Sequence, residues 1–417
     1  MKIIFTTLII ALLLASCNTV NSSSESSSES IVNKNSEVKD TLPPVEDKKA
    51  NTDYPQAFEG QTRIAGVKTT TPYTTKIITK DLTEPWGISE LPDGRLIITE
   101  NEGVMRIVNT SNGEISDAIT GIPKVDNKGQ GGLLGLTVAP DFKTNRMIYW
   151  AFTEKVKNGN HTAIAKGRLS DDEKSIENVK VIYRASPTYD GKLHYGGRVI
   201  FDKNGNLFVS IGERSDKETR DKAQNLNSSF GKIIRITTDG KAVAGNPFAD
   251  REDALPEIYS YGHRNPQGLA FHPETGELWN SEFGPRGGDE INLIKPGKNY
   301  GWPIITYGIE YAGGKIGDPV IQQKEGMEQP IYYWDPVLSP SGMTFYKGNK
   351  IPEWENNLFI GGLNSNHIAR IVLKDNKVIG EERILTDEGE RFRDVFQAKN
   401  GKLYTITQGG KLYSITN

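Results

Sequence analysis

The sequence predicts an all-β chain: a six-bladed β-propeller with four-stranded antiparallel blades, its N- and C-terminal strands closing the ring. Three observations predict it. A strand–turn–strand unit recurs six times, at intervals of about 50 to 75 residues that leave room for four strands and their loops. Most of the turns hold Asp-Gly, Asn-Gly or a close relative, a strong hairpin signal. The 43 Gly and 21 Pro among 417 residues call for many tight turns rather than long helices.

Before the repeats lies a leader. Met1 and Lys2 open a basic region, Ile3 to Leu14 an apolar one, and Leu14-Ala15-Ser16-Cys17 follows. This predicts a signal peptide over residues 1–16. The last four residues resemble a bacterial lipobox, which implies cleavage before Cys17 and lipidation of its thiol. The expectation is an exported bacterial lipoprotein, on the periplasmic side of the envelope or the cell surface, touching the membrane through that anchor alone. An ordinary signal peptide with an incidental Cys is the alternative. Residues 17–68, with SSSESSSES at 22–30, hold few apolar side chains and read as a flexible tether. The propeller is then expected over residues 69–417.

The six copies occupy residues 87–100, 135–152, 197–213, 268–284, 342–364 and 394–408. Their uneven spacing argues against a solenoid. Only one further strand, GKLYSITN at 410–417, follows the last copy, so that blade lacks an outer strand. TTKIITKDL at 74–82 can supply it, and pairing the two ends removes exposed edges.

Composition excludes several functions. A net charge of −3 and a pI near 6.1 give no global basic field for nucleic acid. The sole cysteine sits in the leader, which excludes a thiol nucleophile and disulfides from the folded part. There is no HExxH, GxSxG, Walker loop or Cys-His zinc spacing.

In a propeller, loops entering first strands and loops leaving second strands open on one face. On that face the sequence places Glu84-Pro85-Trp86, Gly129-Gln130-Gly131, His194-Tyr195-Gly196, Arg264-Asn265-Pro266 and Arg391-Phe392-Arg393, with Glu213-Arg214, Phe283-Gly284-Pro285 and Leu363-Asn364-Ser365. Such convergence from separate blades suits a cofactor or substrate site. His194 is a candidate general base and Glu213 could orient its ring; a buried hydrogen-bonding histidine is the plainer alternative. Arg391 and Arg393 share one strand face, whether for an anionic ligand or for surface carboxylates. Arg264-Asn265-Pro266 could contact a ligand or hold a turn, and Gln130 could cap loop amides. Asp289-Glu290 could be a solvated pair or offer oxygen ligands to calcium.

GQGGLLGL (129–136), HYGGRV (194–199), GHRNPQGLAFHP (262–273), SEFGPRGGDEINLI (281–294), GKNYGWP (297–303) and RFRDV (391–395) together resemble the soluble quinoprotein glucose dehydrogenase family, most closely its bacterial aldose sugar dehydrogenase branch. The resemblance implies a six-bladed propeller that binds pyrroloquinoline quinone (PQQ) and calcium and oxidises the anomeric carbon of aldoses to lactones. It implies His194 as general base and Gln130 as substrate-binding. Arg264 and Asn265 would contact the quinone, and Arg391 and Arg393 would pair with its carboxylates. The carbonyls of Gly284 and Pro285 would ligate a catalytic calcium; Glu290 and the carbonyl of Tyr300 would ligate a second one. Two positions depart from the glucose dehydrogenases. Asn364 stands where they carry a cofactor-side Lys, and Leu193 where they carry Asp, which implies different polar contacts with the sugar. The competing expectations are a non-catalytic propeller that binds carbohydrate or a protein partner, and a metal-dependent lactonase. The lactonase would want several acidic side chains around a central ion.

Overall fold

The computed structural model describes residues 42–417, and the predicted signal peptide and Cys17 lie outside them. The chain forms a six-bladed β-propeller. Blade one is Pro85–Glu90, Leu96–Glu100 and Val104–Val108; blade two is Leu133–Val138, Met147–Val156, Gly159–Leu169 and Ile176–Arg184. Blade three is Val199–Phe201, Leu207–Ile211, Lys232–Ile236 and Ile258–Tyr261. Blade four is Pro266–Phe271, Leu278–Glu282, Asp289–Ile294 and Tyr332–Trp334. Blade five is Pro340–Phe345, Leu358–Gly362, Ile368–Lys374 and Lys377–Ile384. Blade six is Phe392–Gln397, Leu403–Thr407 and Leu412–Thr416, completed by Thr74–Thr79 from the N-terminal side.

Closure follows the prediction. Thr79 lies opposite Leu412 and Thr74 opposite Thr416 in an antiparallel pair. The buried apolar side chains fall into clusters between neighbouring blades, and Leu96, Ile98, Leu412 and Tyr404 seal blade one against blade six. Trp150 fills the interface of blades one and two, Trp279 that of four and five, and Trp354 that of five and six. Each fully buried large apolar side chain contributes roughly 1.5–3 kcal/mol. The ring is held by six such seams rather than by one centre. First strands line the axis, so their N-terminal ends gather at one mouth.

Two expectations are corrected. Blade one has three regular strands; isolated bridges Val108–Ile115 and Met105–Ile119 stand in for the fourth. Residues 42–68 are not a free tether. Leu42–Pro44 and Ala65–Gly66 extend blade five, with Gly66 paired in parallel to Glu381, and Val67 is buried. The segment is held mainly by polar side chains that bond to distant backbone. Gln61 donates to the Pro330 carbonyl at 2.9 Å, and Arg63 to the Glu46 and Asp335 carbonyls at 3.0 and 2.8 Å. A composition poor in apolar residues gives no hint of such bonding. Among the described residues, no helix is long and apolar enough to cross a membrane.

Candidate active site

The mouth opens into a cavity of about 570 Å³, within the range of small-molecule sites. Its lining comes from the entries or exits of all six blades, including Trp86, Gln130, His194, Pro285, Asn364 and Arg393. Of the expected site residues, Gln130, His194, Gly284, Pro285, Asn364, Arg391 and Arg393 line this cavity. Glu213 and Asn265 stand behind its wall. Arg264, Glu290 and Tyr300 line a smaller pocket that shares Phe283, Gly284 and Pro285 with the first.

His194 precedes blade three, and Glu213 follows that blade's second strand. Strand pairing therefore returns residue 213 to the loop of residue 194. The His194 Nδ1 lies 2.6 Å from Glu213 Oε1, and both side chains are buried. A carboxylate can only accept, so Nδ1–H donates and Nε2 keeps its lone pair. The backbone of His194 is left-handed, with φ 49°, a conformation that costs on the order of 1 kcal/mol or more for a side chain of this size. Surrounding bonds hold it there. The Gln130 Oε1 accepts from the His194 N–H at 2.9 Å, and the His194 carbonyl accepts from Arg214 N–H at 3.3 Å. The chain at Gly212 packs so tightly beneath that a Cβ there would collide with the His194 carbonyl. Burial, with help from the positive charge of Arg264, pushes His194 down to about 4, against the pull of Glu213. The ring is thus neutral at pH 7, as a base must be.

The Arg264 Nη1 donates to the carbonyls of Gly284 at 2.5 Å and Phe283 at 3.3 Å, while its Nε is buried without a partner. Asn265 spends Oδ1 on the Gly196 N–H, and its buried Nδ2 is unpartnered. Two idle donors beside a polar cavity are costly unless a ligand meets them. Arg391 donates to Gln408 at 2.7 Å, and Arg393 to Gln267 at 2.9 Å over the Trp86 ring. Burial and the neighbouring Arg391 and Arg198 lower Arg393 to about 10, so it remains cationic at neutral pH. Beneath them a buried ion pair, Arg198–Asp394 at 2.7 Å, closes the floor.

Asp289 and Glu290 separate. The Asp289 carboxylate accepts from the N–H groups of Gly284, Leu338 and Ser339 at 2.7 to 2.9 Å. It holds backbone and has little left to offer a cation. Glu290 instead faces Glu282, and burial with that like charge raises it well above the usual carboxylate range. Asn292 donates to both carboxylates, at 3.2 and 3.1 Å. A cation would relieve this arrangement. Among the described residues no three His, Cys, Asp or Glu gather as a metal site, so backbone carbonyls would have to complete the ligand set.

A family model described as glucose/sorbosone dehydrogenase matches residues 82–414. The chain belongs to the glucose/sorbosone dehydrogenase family. It is 40% identical over 345 residues to aldose sugar dehydrogenase YliI of Escherichia coli (strain K12), which covers 82% of this chain and 92% of that protein. It is 28% identical over 410 residues to quinoprotein glucose dehydrogenase B of Acinetobacter calcoaceticus, covering 80% and 84%. Among solved structures, the apo-form of the soluble aldose sugar dehydrogenase from Escherichia coli superposes with a TM-score of 0.78 at 39% identity, over 83% of this chain and 99% of that one. The PQQ-bound form of aldose sugar dehydrogenase from Streptomyces coelicolor does so at 0.68 and 28% identity, over 84% and 99%. Within the family fold, several contributors to the cavity escaped the sequence reading, among them Gln267, Arg286 and Asn51. Gln267 sits one residue beyond the Arg-Asn-Pro turn and could have been found from strand alternation. Arg286 lies next to the expected calcium carbonyls. Asn51 comes from the supposed tether, and nothing local marks it.

Proposed function

We propose that this chain is a PQQ- and calcium-dependent dehydrogenase that oxidises an aldose at C1 to its lactone. The observation that carries the reading is the His194–Glu213 pair, 2.6 Å apart at the wall of a cavity rimmed by Arg391 and Arg393. The relatives named for aldose sugar oxidation, and the PQQ-bound neighbour, support it.

The oxidation removes a hydride from C1 and a proton from its hydroxyl. His194 takes that proton on Nε2, while Glu213 holds the Nδ1–H and stabilises the imidazolium that results. Gln130 sets the backbone of His194 and offers its amide to the sugar. In this reading Arg264, Asn265, Asn364, Arg391 and Arg393 hold the carboxylates and ring of PQQ; paired donors on Arg suit such groups. The carbonyls of Gly284, which here accepts from Arg264, and Pro285 would ligate a catalytic calcium. Glu290 and the Tyr300 carbonyl would hold a second ion, with Glu282 adjacent. When bound, PQQ with calcium supplies the two-electron acceptor for the hydride. The chain's export and its lipid anchor at Cys17 belong to the same proposal, with the electron acceptor met outside the cytoplasm.

The test is reconstitution. Apo-protein given PQQ and calcium should reduce an artificial dye when supplied with aldoses, and His194→Ala should abolish turnover while PQQ binding persists. Dye reduction without PQQ rejects the cofactor; full activity in the variant rejects the base. Labelling of the wild-type chain, but not Cys17→Ser, by a fatty-acid precursor tests the anchor.

A further inference from the structure

Residues 42–68 lie outside the stretch that matches the family, 82–414, yet Asn51 lines the catalytic cavity. We propose that this N-terminal strap is a working part of the site, with Asn51 a positioning residue that fixes the 283–288 turn through Arg286. The proposal rests on reading that turn as the cofactor-facing one.

The anchor is Asp335, just after the outer strand of blade four. Its carboxylate accepts from the Asn51 N–H at 2.9 and 3.0 Å and from Asn51 Nδ2 at 2.8 Å. Thr52 adds its N–H at 3.1 Å and its hydroxyl at 3.2 Å. Two neighbouring strap residues thus satisfy both oxygens of one carboxylate, which leaves the Asn51 amide no freedom to rotate. Its Oδ1 is then aimed at the turn and accepts from Arg286 Nε at 3.1 Å. That bond holds the Arg286 guanidinium at the rim of the cavity. Gly287, at φ 83°, packs so closely on Asp335 and Asn51 that a Cβ would press on both. Backbone bonds from Arg286 N–H to Ile309 and from Gly288 N–H to Trp334, each 2.9 Å, tie the turn from its other side. The strap is therefore the second jaw of a clamp on the segment that presents the Gly284 and Pro285 carbonyls.

Hydrogen exchange on the full-length apo-protein tests the clamp without cofactor. Asn51→Ala should speed exchange over residues 283–288 by about tenfold, equivalent to loss of one charge-assisted bond, with blades one to three unchanged. PQQ titrated with calcium, followed by its fluorescence, should bind about tenfold more weakly. Arg286→Ala should do the same, and the double variant should bind no more weakly than Arg286→Ala alone, because Asn51 acts through that side chain. Unchanged exchange at 283–288, a rise spread evenly over all blades, or additive losses in the double variant would each overturn the proposal. If wild-type protein fails to bind PQQ, the cofactor reading falls, and exchange alone decides the strap.

Discussion

At the scale of single residues, the chemistry depends on one imidazole kept neutral in a buried place. His194→Ala should lower kcat by on the order of 10²–10⁴, the usual worth of a positioned base. Glu213 pulls the ring upward in pKa, so Glu213→Gln should make a weaker base and lower kcat while KM for the sugar holds, measured by steady-state dye reduction. The same burial predicts how stability responds to acid. His194 titrates near 4 when folded and near 6.5 when free, and His367, buried and bonded to the Ser365 carbonyl, near 3. Between those values the unfolded chain binds the extra protons. The contribution of each histidine is therefore full above pH 6.5 and falls as pH drops toward its folded value. Asp289, raised by burial to about 6, acts with the opposite sign between its free value of 3.8 and 6, as do Glu290, Glu381 and Asp394, which burial also raises. Thermal melts of apo-protein from pH 7 to 4 should show wild type losing stability toward acid relative to His194→Asn. Identical pH dependence in the two proteins would contradict a neutral buried ring.

At the scale of elements, blade six depends on a strand borrowed from the far end of the domain. Leu412 is fully buried in the seam between blades six and one, and its backbone pairs with Thr79. Leu412→Ala should cost about 2–5 kcal/mol, read from denaturant unfolding, since the seam cannot collapse around the void. This closure was legible in advance because strand count and alternation are local signals. So was the pairing of His194 with Glu213, because a hairpin of known length returns one to the other. The strap was not legible. Asn51, Thr52, Gln61 and Arg63 act through bonds to partners such as Asp335 and Pro330, more than 250 residues away, and a polar stretch with such bonds reads like one without them. The three-stranded first blade was missed for a related reason: two isolated bridges leave no periodic trace.

At the scale of the whole molecule, the axis is stoppered by charge. Asp394 of blade six pairs with Arg198 at the entry of blade three and accepts from the Ile88 N–H of blade one at 3.2 Å. One carboxylate thus ties three blades across the channel and forms the floor on which Arg393 and Gln267 rest. Asp394→Asn would leave Arg198 buried without a countercharge and should cost about 3–5 kcal/mol by denaturant titration. Weaker PQQ retention should accompany it. Asp394 was visible in the sequence only as the residue after Arg393; its reach across the axis needs the ring closed.

The seam of blade six also bears on biosynthesis. Thr79 leaves the ribosome more than 300 residues before Leu412, its partner. Throughout that interval the inner edge of blade one faces water with Ile88 and Ile98 uncovered, so nascent chains of this protein should be clients of chaperones until the final dozen residues emerge.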